Sequence, residues 1–356
     1  MRTRLLALCL GLFLLSTLRS LCTDATYVRF HTNLGNIDVQ LLTDEAPSTV
    51  TNFLTYVNSG AYANSIIHRS STANLAIDGV AVIQGGGYSI LNSTLTTITA
   101  NAPVASEYGV PNTRGTLAMA LTSAGPDSGT NQWFFNTIDN SSALDGNPDF
   151  GGPFTVFGVI INTSGLSVMD QISNVPIFAF NSPFNEIPLL DYTQAEFNAG
   201  TQPTASDFVM VNSITPLTVQ PLSTWQSTNF PGQPASVSGP TATPSNDGVP
   251  NLLKYLCDIN PTAPISAADR AKLPTVGTTT IGTTRYMTLT YHQSNALVGV
   301  TVNVQTSPDL QIWTIPTNPS PTFVQTGTDS SNDPIMQVQV PMNGTKQFIR
   351  LNVTQP

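Results

Sequence analysis

Proline and glycine recur along this chain so often that little of it can be a long helix. There are 27 prolines and 25 glycines among 356 residues. Proline removes a backbone donor and glycine loosens the chain, so the regular elements between them must be short. In those intervals apolar and polar residues alternate. Residues 27–31 and 37–41 do so on either side of Asn33-Leu34-Gly35-Asn36, which predicts a β-hairpin. Residues 80–84, 115–121, 131–136, 154–161 and 207–214 predict further strands. Pro47 opens a helix whose Val50, Phe53, Leu54 and Val57 share one face, and Gly60 lies just past its end. A second short helix is expected over 166–172, with Leu166, Met169 and Ile172 on one side. Many short strands with two helices predict a closed or nearly closed β-structure with helical plugs.

The chain changes character after residue 215. Residues 216–246 are rich in Pro, Ser, Thr and Gln, which predicts a semi-extended linker. Residues 247–255 read as a turn leading into a short helix. The alternating runs 286–292, 298–306, 336–340 and 348–353 then predict a smaller β-sandwich-like domain over 247–356. Charge divides the same way. Residues 26–215 carry 14 acidic residues against Arg29, Arg69 and Arg114, with no lysine, a net charge of −11. Residues 216–356 hold six acidic and six basic residues. Nucleic acid is a poor partner for such a chain, because binding phosphate backbones needs clustered cations. Three arginines in so acidic a domain each need a physical reason, and a surface ion pair is the plain one.

Arg2 and Arg4 precede an apolar run of 14 residues, 5–18, short for a membrane span and suited to a leader peptide. Thr23 and Ala25 place small residues for cleavage after Ala25, so residues 1–25 read as a signal peptide. A retained N-terminal anchor and lipidation at Cys22 are the alternatives. The expectation is an exported protein, periplasmic, cell-surface or extracellular, with no membrane span once the leader is removed. Cleavage leaves Cys257 as the one cysteine, which cannot form an internal disulfide and reads as a buried thiol.

His31, His68 and His292 make no metal-ligand spacing with the cysteines, so no metal is expected. The chain has no G-x-S-x-G elbow, Walker loop or H-E-x-x-H. What remains is a series of weakly charged segments: His68-Arg69, Val82-Ile83-Gln84-Gly85-Gly86, Gly115-Thr116-Leu117-Ala118-Met119-Ala120, Asn131-Gln132-Trp133-Phe134-Phe135-Asn136, Leu144-Asp145-Gly146 and Phe154-Thr155-Val156-Phe157-Gly158.

In this order, over roughly residues 27–214, these segments resemble cyclophilin-type peptidyl-prolyl cis-trans isomerases. The helix from Ala46-Pro47 and the segment Gly165-Leu166-Ser167-Val168-Met169-Asp170 fit the same family. The resemblance implies a mainly β fold, an eight-stranded antiparallel barrel with two capping helices. It implies isomerisation of X-Pro bonds in proline-containing polypeptides, without cofactors. Arg69 matches the family's catalytic arginine, and Gln84 the glutamine that orients it. Phe134, Met119 and Leu144 match its proline pocket, and Gln132 and Ala120 its peptide groove.

The chain departs from the family where a phenylalanine is Ala81, a groove asparagine is Leu121, an aromatic is Ala143, and a rim histidine or tyrosine is Phe154. Residues 70–79 form an inserted polar loop, from which Leu75 or Ile77 could refill the pocket. Ala81, Leu121 and Phe154 therefore complete the expected substrate-binding set. An isomerase of exported proteins is the first reading, and a catalytically weak proline-peptide-binding module is the alternative. Residues 247–255, Ser307-Pro308-Asp309-Leu310-Gln311-Ile312-Trp313-Thr314 and Phe348-Ile349-Arg350-Leu351 resemble C-terminal β-domains of exported bacterial proteins, which implies no activity of its own but a spacer or a module for cell-surface association.

Overall fold

The computed structural model describes residues 26–71, 79–147, 151–342 and 347–355. The expected leader, residues 1–25, lies outside the described residues, as do Leu75 and Ile77.

The predicted hairpin forms from Thr26–Thr32 and Gly35–Leu41. From its second strand the antiparallel order runs through Val156–Ile160, Thr116–Met119, Trp133–Asn136 and Val82–Gly85 to Arg69–Ser71. From its first strand the order runs through Met210–Pro216 to Ser65–Ile66. The two ends of the sheet are thus neighbouring pieces of one stretch. Between them the Ile67 N–H donates to the Val209 carbonyl and the His68 N–H to the Gln84 carbonyl, each at 3.0 Å. Residues 65–71 are therefore one bent strand bonded to both edges, and they close a barrel of eight strands. A hairpin of Tyr88–Leu91 and Thr94–Thr97, which the sequence reading missed, extends the sheet beyond Ser65–Ile66.

The barrel interior is aromatic. Phe30 meets Trp133 edge-on at 5.0 Å and Phe135 at 5.2 Å, and it stacks on Phe53 of helix Pro47–Asn58 at 6.0 Å. That helix begins at its proline, as expected. Its first free donors, the N–H groups of Ser48 and Thr49, are satisfied by the Glu107 carboxylate at 3.0 and 2.8 Å. Helix Thr163–Ser173 buries Val168, Met169 and Ile172 against the same core.

Beyond the barrel, a four-stranded sheet (Thr275–Ile281, Thr284–His292, Pro334–Pro341, Thr322–Thr328) faces a two-stranded one (Thr301–Ser307, Phe348–Thr354). Both contribute to one apolar cluster, with Leu289, Tyr291 and Val338 from the first sheet and Val302, Val304 and Ile349 from the second. The stretch 216–246 differs from the expected linker. Leu222–Asn229 and Ala235–Ser238 are helical, and Leu222, Trp225 and Phe230 are buried in this second cluster. Pro216 ends a strand and the later prolines sit at helix starts and turns, where a missing N–H costs little, and three large apolar side chains supply the driving force that composition alone concealed.

The two cores meet through polar contacts. Arg29 donates to both oxygens of Asp38, at 2.6 and 2.9 Å, and also to the side-chain oxygen of Asn295. Ser167 and Gln171 donate to the Phe323 carbonyl.

In the second core, Lys254 is fully buried with its ammonium 2.6 Å from Asp247. Replacing Asp247 with alanine strands that cation, so Asp247→Ala should lower unfolding stability by about 3–5 kcal/mol. Removing the exposed Arg114–Asp170 pair should cost about 1 kcal/mol or less. Urea denaturation of the two variants in parallel measures the contrast.

Candidate functional site

Barrel closure decides what stands beside Arg69. Its strand pairs with Val82–Gly85 so that Arg69 lies directly opposite Gln84. Side chains on a strand alternate between faces, so Val80, Val82 and Gln84 share one side. These three, with Arg69, Ala120, Leu121, Phe134, Leu144 and Phe154, line a cavity of about 230 Å³.

The expected substrate-binding residues Phe134, Ala120, Leu144, Leu121 and Phe154 all come together here with Arg69 and Gln84. Met119 does not line the cavity. It is 2% exposed and packs into the barrel core, where its Cγ would lie 2.5 Å from a Cβ added at Gly129. Ala81 is also turned away. It falls one residue off the alternation that brings Val80 and Val82 to the cavity, and its N–H and carbonyl both bond to the Asn140 side chain. Val80 and Val82 take the places on that wall. The sequence reading missed both, although counting back from Gln84 in steps of two would have found them.

The cavity floor is apolar. Phe134, 4% exposed, clusters with Val80, Val82, Ala118, Ala143, Leu144 and Val156. Phe154 meets it edge-on at 5.8 Å and supplies a second ring on a wall where Ala143 supplies none.

Polar groups lie along one side. Arg69 Nε donates to Glu186 Oε2 at 2.7 Å, and the pair is about one-third exposed. Neither terminal guanidinium nitrogen has a hydrogen-bond partner among the described residues. Gln84 donates to the Gln132 side-chain oxygen at 2.8 Å. Gln84 is thus engaged with Gln132, and the group holding Arg69 is a carboxylate the sequence reading did not single out. Gln132 also bonds His68, whose pKa is pushed down to about 4, chiefly by burial. The Gln132 bond works in the opposite direction, and the Arg69 charge lowers the pKa further. His68 is therefore neutral near pH 7.

The glycines after Gln84 serve close packing. A Cβ on Gly85 would lie 2.6 Å from the Trp133 ring, and one on Gly86, whose φ is +80°, would lie 2.5 Å from the Asn131 carbonyl. The indole can cross this strand because both side chains are missing.

A larger cavity, about 890 Å³, lies among Ile90, Leu95, Phe180, Phe184 and Phe208. No ionisable side chain lines it, whereas the smaller cavity has the Arg69 guanidinium at its edge. No cluster of His, Cys, Asp and Glu among the described residues is suited to a metal.

A chain of buried asparagines fixes the cavity wall. Asn140 donates to the Asn136 side chain at 2.7 Å, and Asn136 donates to Asn112 at 3.1 Å. Asn112 in turn donates to Asp145 and to the Phe154 carbonyl. The network links Ala81, the turn after Leu144 and Phe154. Asn140→Ala would leave both backbone groups of Ala81 without their side-chain partner and should destabilise the protein by about 1–3 kcal/mol, read by denaturation. His68 should add an acid-sensitive component. Between pH 6.5 and pH 4 the unfolded chain takes up a proton on His68 that the folded chain refuses. Stability present above pH 6.5 should therefore fall on acidification by up to about 3 kcal/mol, and His68→Phe should flatten that part of the profile.

Comparison with known proteins points to one family. Residues 27–194 match the family model of cyclophilin type peptidyl-prolyl cis-trans isomerases. The chain is 40% identical over 153 residues to a peptidyl-prolyl cis-trans isomerase of Acinetobacter baylyi, covering 42% of this chain and 73% of that one. It is 40% identical over 151 residues to peptidyl-prolyl cis-trans isomerase B of Escherichia coli, covering 42% and 84%. A crystal structure of a Cryptosporidium parvum cyclophilin-type isomerase with the dipeptide Ala-Pro aligns at a TM-score of 0.36 and 23% identity, over 53% of this chain and 98% of that one. Through its barrel, the chain belongs to the cyclophilin-type family and is a peptidyl-prolyl cis-trans isomerase.

Proposed function

We propose that the cavity beside Arg69 is where the chain isomerises X-Pro bonds, and that its substrates are exported polypeptides that need proline isomerisation to fold. The observation that carries this reading is a guanidinium, its terminal nitrogens unpartnered among the described residues, at the edge of a cavity of about 230 Å³ floored by Phe134, Val82 and Leu144.

Rotation about an X-Pro bond is opposed by amide resonance, a barrier of roughly 18–20 kcal/mol. No nucleophile is required. The proline ring enters the apolar cavity against Phe134, Val82, Leu144 and Phe154. The substrate backbone lies along Ala120, Leu121 and Gln132. As the amide twists, its nitrogen regains a lone pair, and the terminal nitrogens of Arg69 donate towards it and towards the proline carbonyl. Donors aimed at a charge distribution that exists only in the twisted state lower the barrier without tightening the ground state. Gln84, bonded to Gln132, joins the arginine side of the site to the backbone groove. Retention of both Arg69 and Gln84 favours the enzyme over a binding-only module.

The same reading extends to location. Residues 1–25 are removed on export, and the electrically neutral C-terminal part, residues 247–356, associates the enzyme with a surface. N-terminal sequencing of protein recovered outside the cytoplasm should begin at Thr26, and recovery with the first 25 residues attached would oppose this.

Arg69→Ala should lower kcat/KM for an X-Pro peptide by roughly 10²–10³, followed by exchange NMR of the cis and trans signals. An unchanged rate would remove Arg69 from the reaction. Phe134→Ala should act mainly on KM. Because His68 is already neutral, the wild-type rate should be level between pH 6 and pH 8, and a step near pH 6.5 would contradict the assignment.

A further inference from the structure

Glu186 comes from a part of the chain that the sequence reading left without elements, yet it is held against Arg69 by construction. Its carbonyl accepts the Ser70 N–H at 2.8 Å, so its backbone is tied to the strand one residue past Arg69. The next two residues, Ile187–Pro188, pair with Ile177–Phe178. Beneath this ribbon, Ile187, Leu189, Phe178 and Tyr192 form an apolar cluster with Ile66 of the closing strand. The carboxylate is thereby presented to Arg69 Nε at 2.7 Å.

We infer that Glu186 is the positioning residue for Arg69. A carboxylate on Nε fixes the plane and direction of the guanidinium and leaves both terminal nitrogens for the substrate. Gln84, the residue a cyclophilin likeness would nominate, gives its amide proton to Gln132 instead. An ion pair about one-third exposed adds little to stability, roughly 0–1 kcal/mol, so its effect is on where the donors point. This rests on the reading of Arg69 as the catalytic donor.

The test uses the full chain and four variants: Glu186→Ala, Glu186→Gln, Arg69→Ala and the double variant Glu186→Ala/Arg69→Ala. Glu186→Ala should lose roughly tenfold in kcat with KM within about twofold, because the donors are misdirected while the apolar cavity is intact. Its thermal midpoint should stay close to wild type, since the Ser70 bond to the residue 186 carbonyl is kept. Glu186→Gln retains an oxygen acceptor and should recover most of the rate. Adding Glu186→Ala to Arg69→Ala should have no further effect, because the arginine to be positioned is already gone. A wild-type kcat in Glu186→Ala beside a slow Arg69→Ala overturns the positioning role and leaves that of Arg69 standing. A further loss in the double variant makes Glu186 structural and also overturns it. A wild-type rate in Arg69→Ala overturns both readings.

Discussion

The bent strand at 65–71 is the joint on which the molecule depends. A sheet of this length has two edges, each a row of unpaired donors and acceptors. Here one stretch satisfies both, with its first half against Met210–Pro216 and its second against Val82–Gly85. The change of partner at Ile67 and His68 places consecutive side chains in different surroundings. His68 is buried and kept neutral, while Arg69 emerges at the cavity rim. The site therefore sits at the seam of the barrel, and anything that loosens closure also displaces the arginine.

Most of the barrel was legible in the sequence because its physics is local. Alternation identified the strands around Phe30, Ile83, Leu117, Phe135 and Phe157, and the i, i+3, i+4 spacing identified the helix that buries Phe53. The 65–71 strand was not legible in this way. It is too short in each half to show alternation, and its pairing is decided by chain nearly 150 residues away. The stretch 216–246 failed for the opposite reason. Its composition is that of a linker, but Leu222, Trp225 and Phe230 bury against residues near 255 and 297, so three side chains outweigh the rest.

At the site, Arg69, Phe134, Leu144 and Phe154, which the resemblance named, come together around one cavity, whereas Ala81 falls off the alternation that brings Val80 and Val82 to it. Met119 was misplaced because Gly129 opens room for it in the core, a contact across the fold that neither motif nor period encodes. Glu186 was missed for a related reason. It lies in a segment whose regularity is aromatic clustering, with Phe178, Phe180, Phe184, Tyr192 and Phe197, rather than a repeat of two or 3.6. The asparagine chain from Asn112 to Asn140 was hidden among many asparagines that read as turn formers.

The scarcity of positive charge has a practical result. Each of the three barrel arginines is engaged by a carboxylate: Arg29 by Asp38, Arg69 by Glu186 and Arg114 by Asp170. Trypsin, which cuts after lysine and arginine, therefore meets two barrel sites held in strands and one in an exposed turn at Arg114. Complete digestion still leaves residues 115–254 as one piece, because no lysine or arginine falls between Arg114 and Lys254. Peptide mapping of the stretch from Leu121 to Phe154, both of which line the cavity, thus calls for a protease that cuts at acidic residues, which Asp127, Asp139 and Asp145 supply.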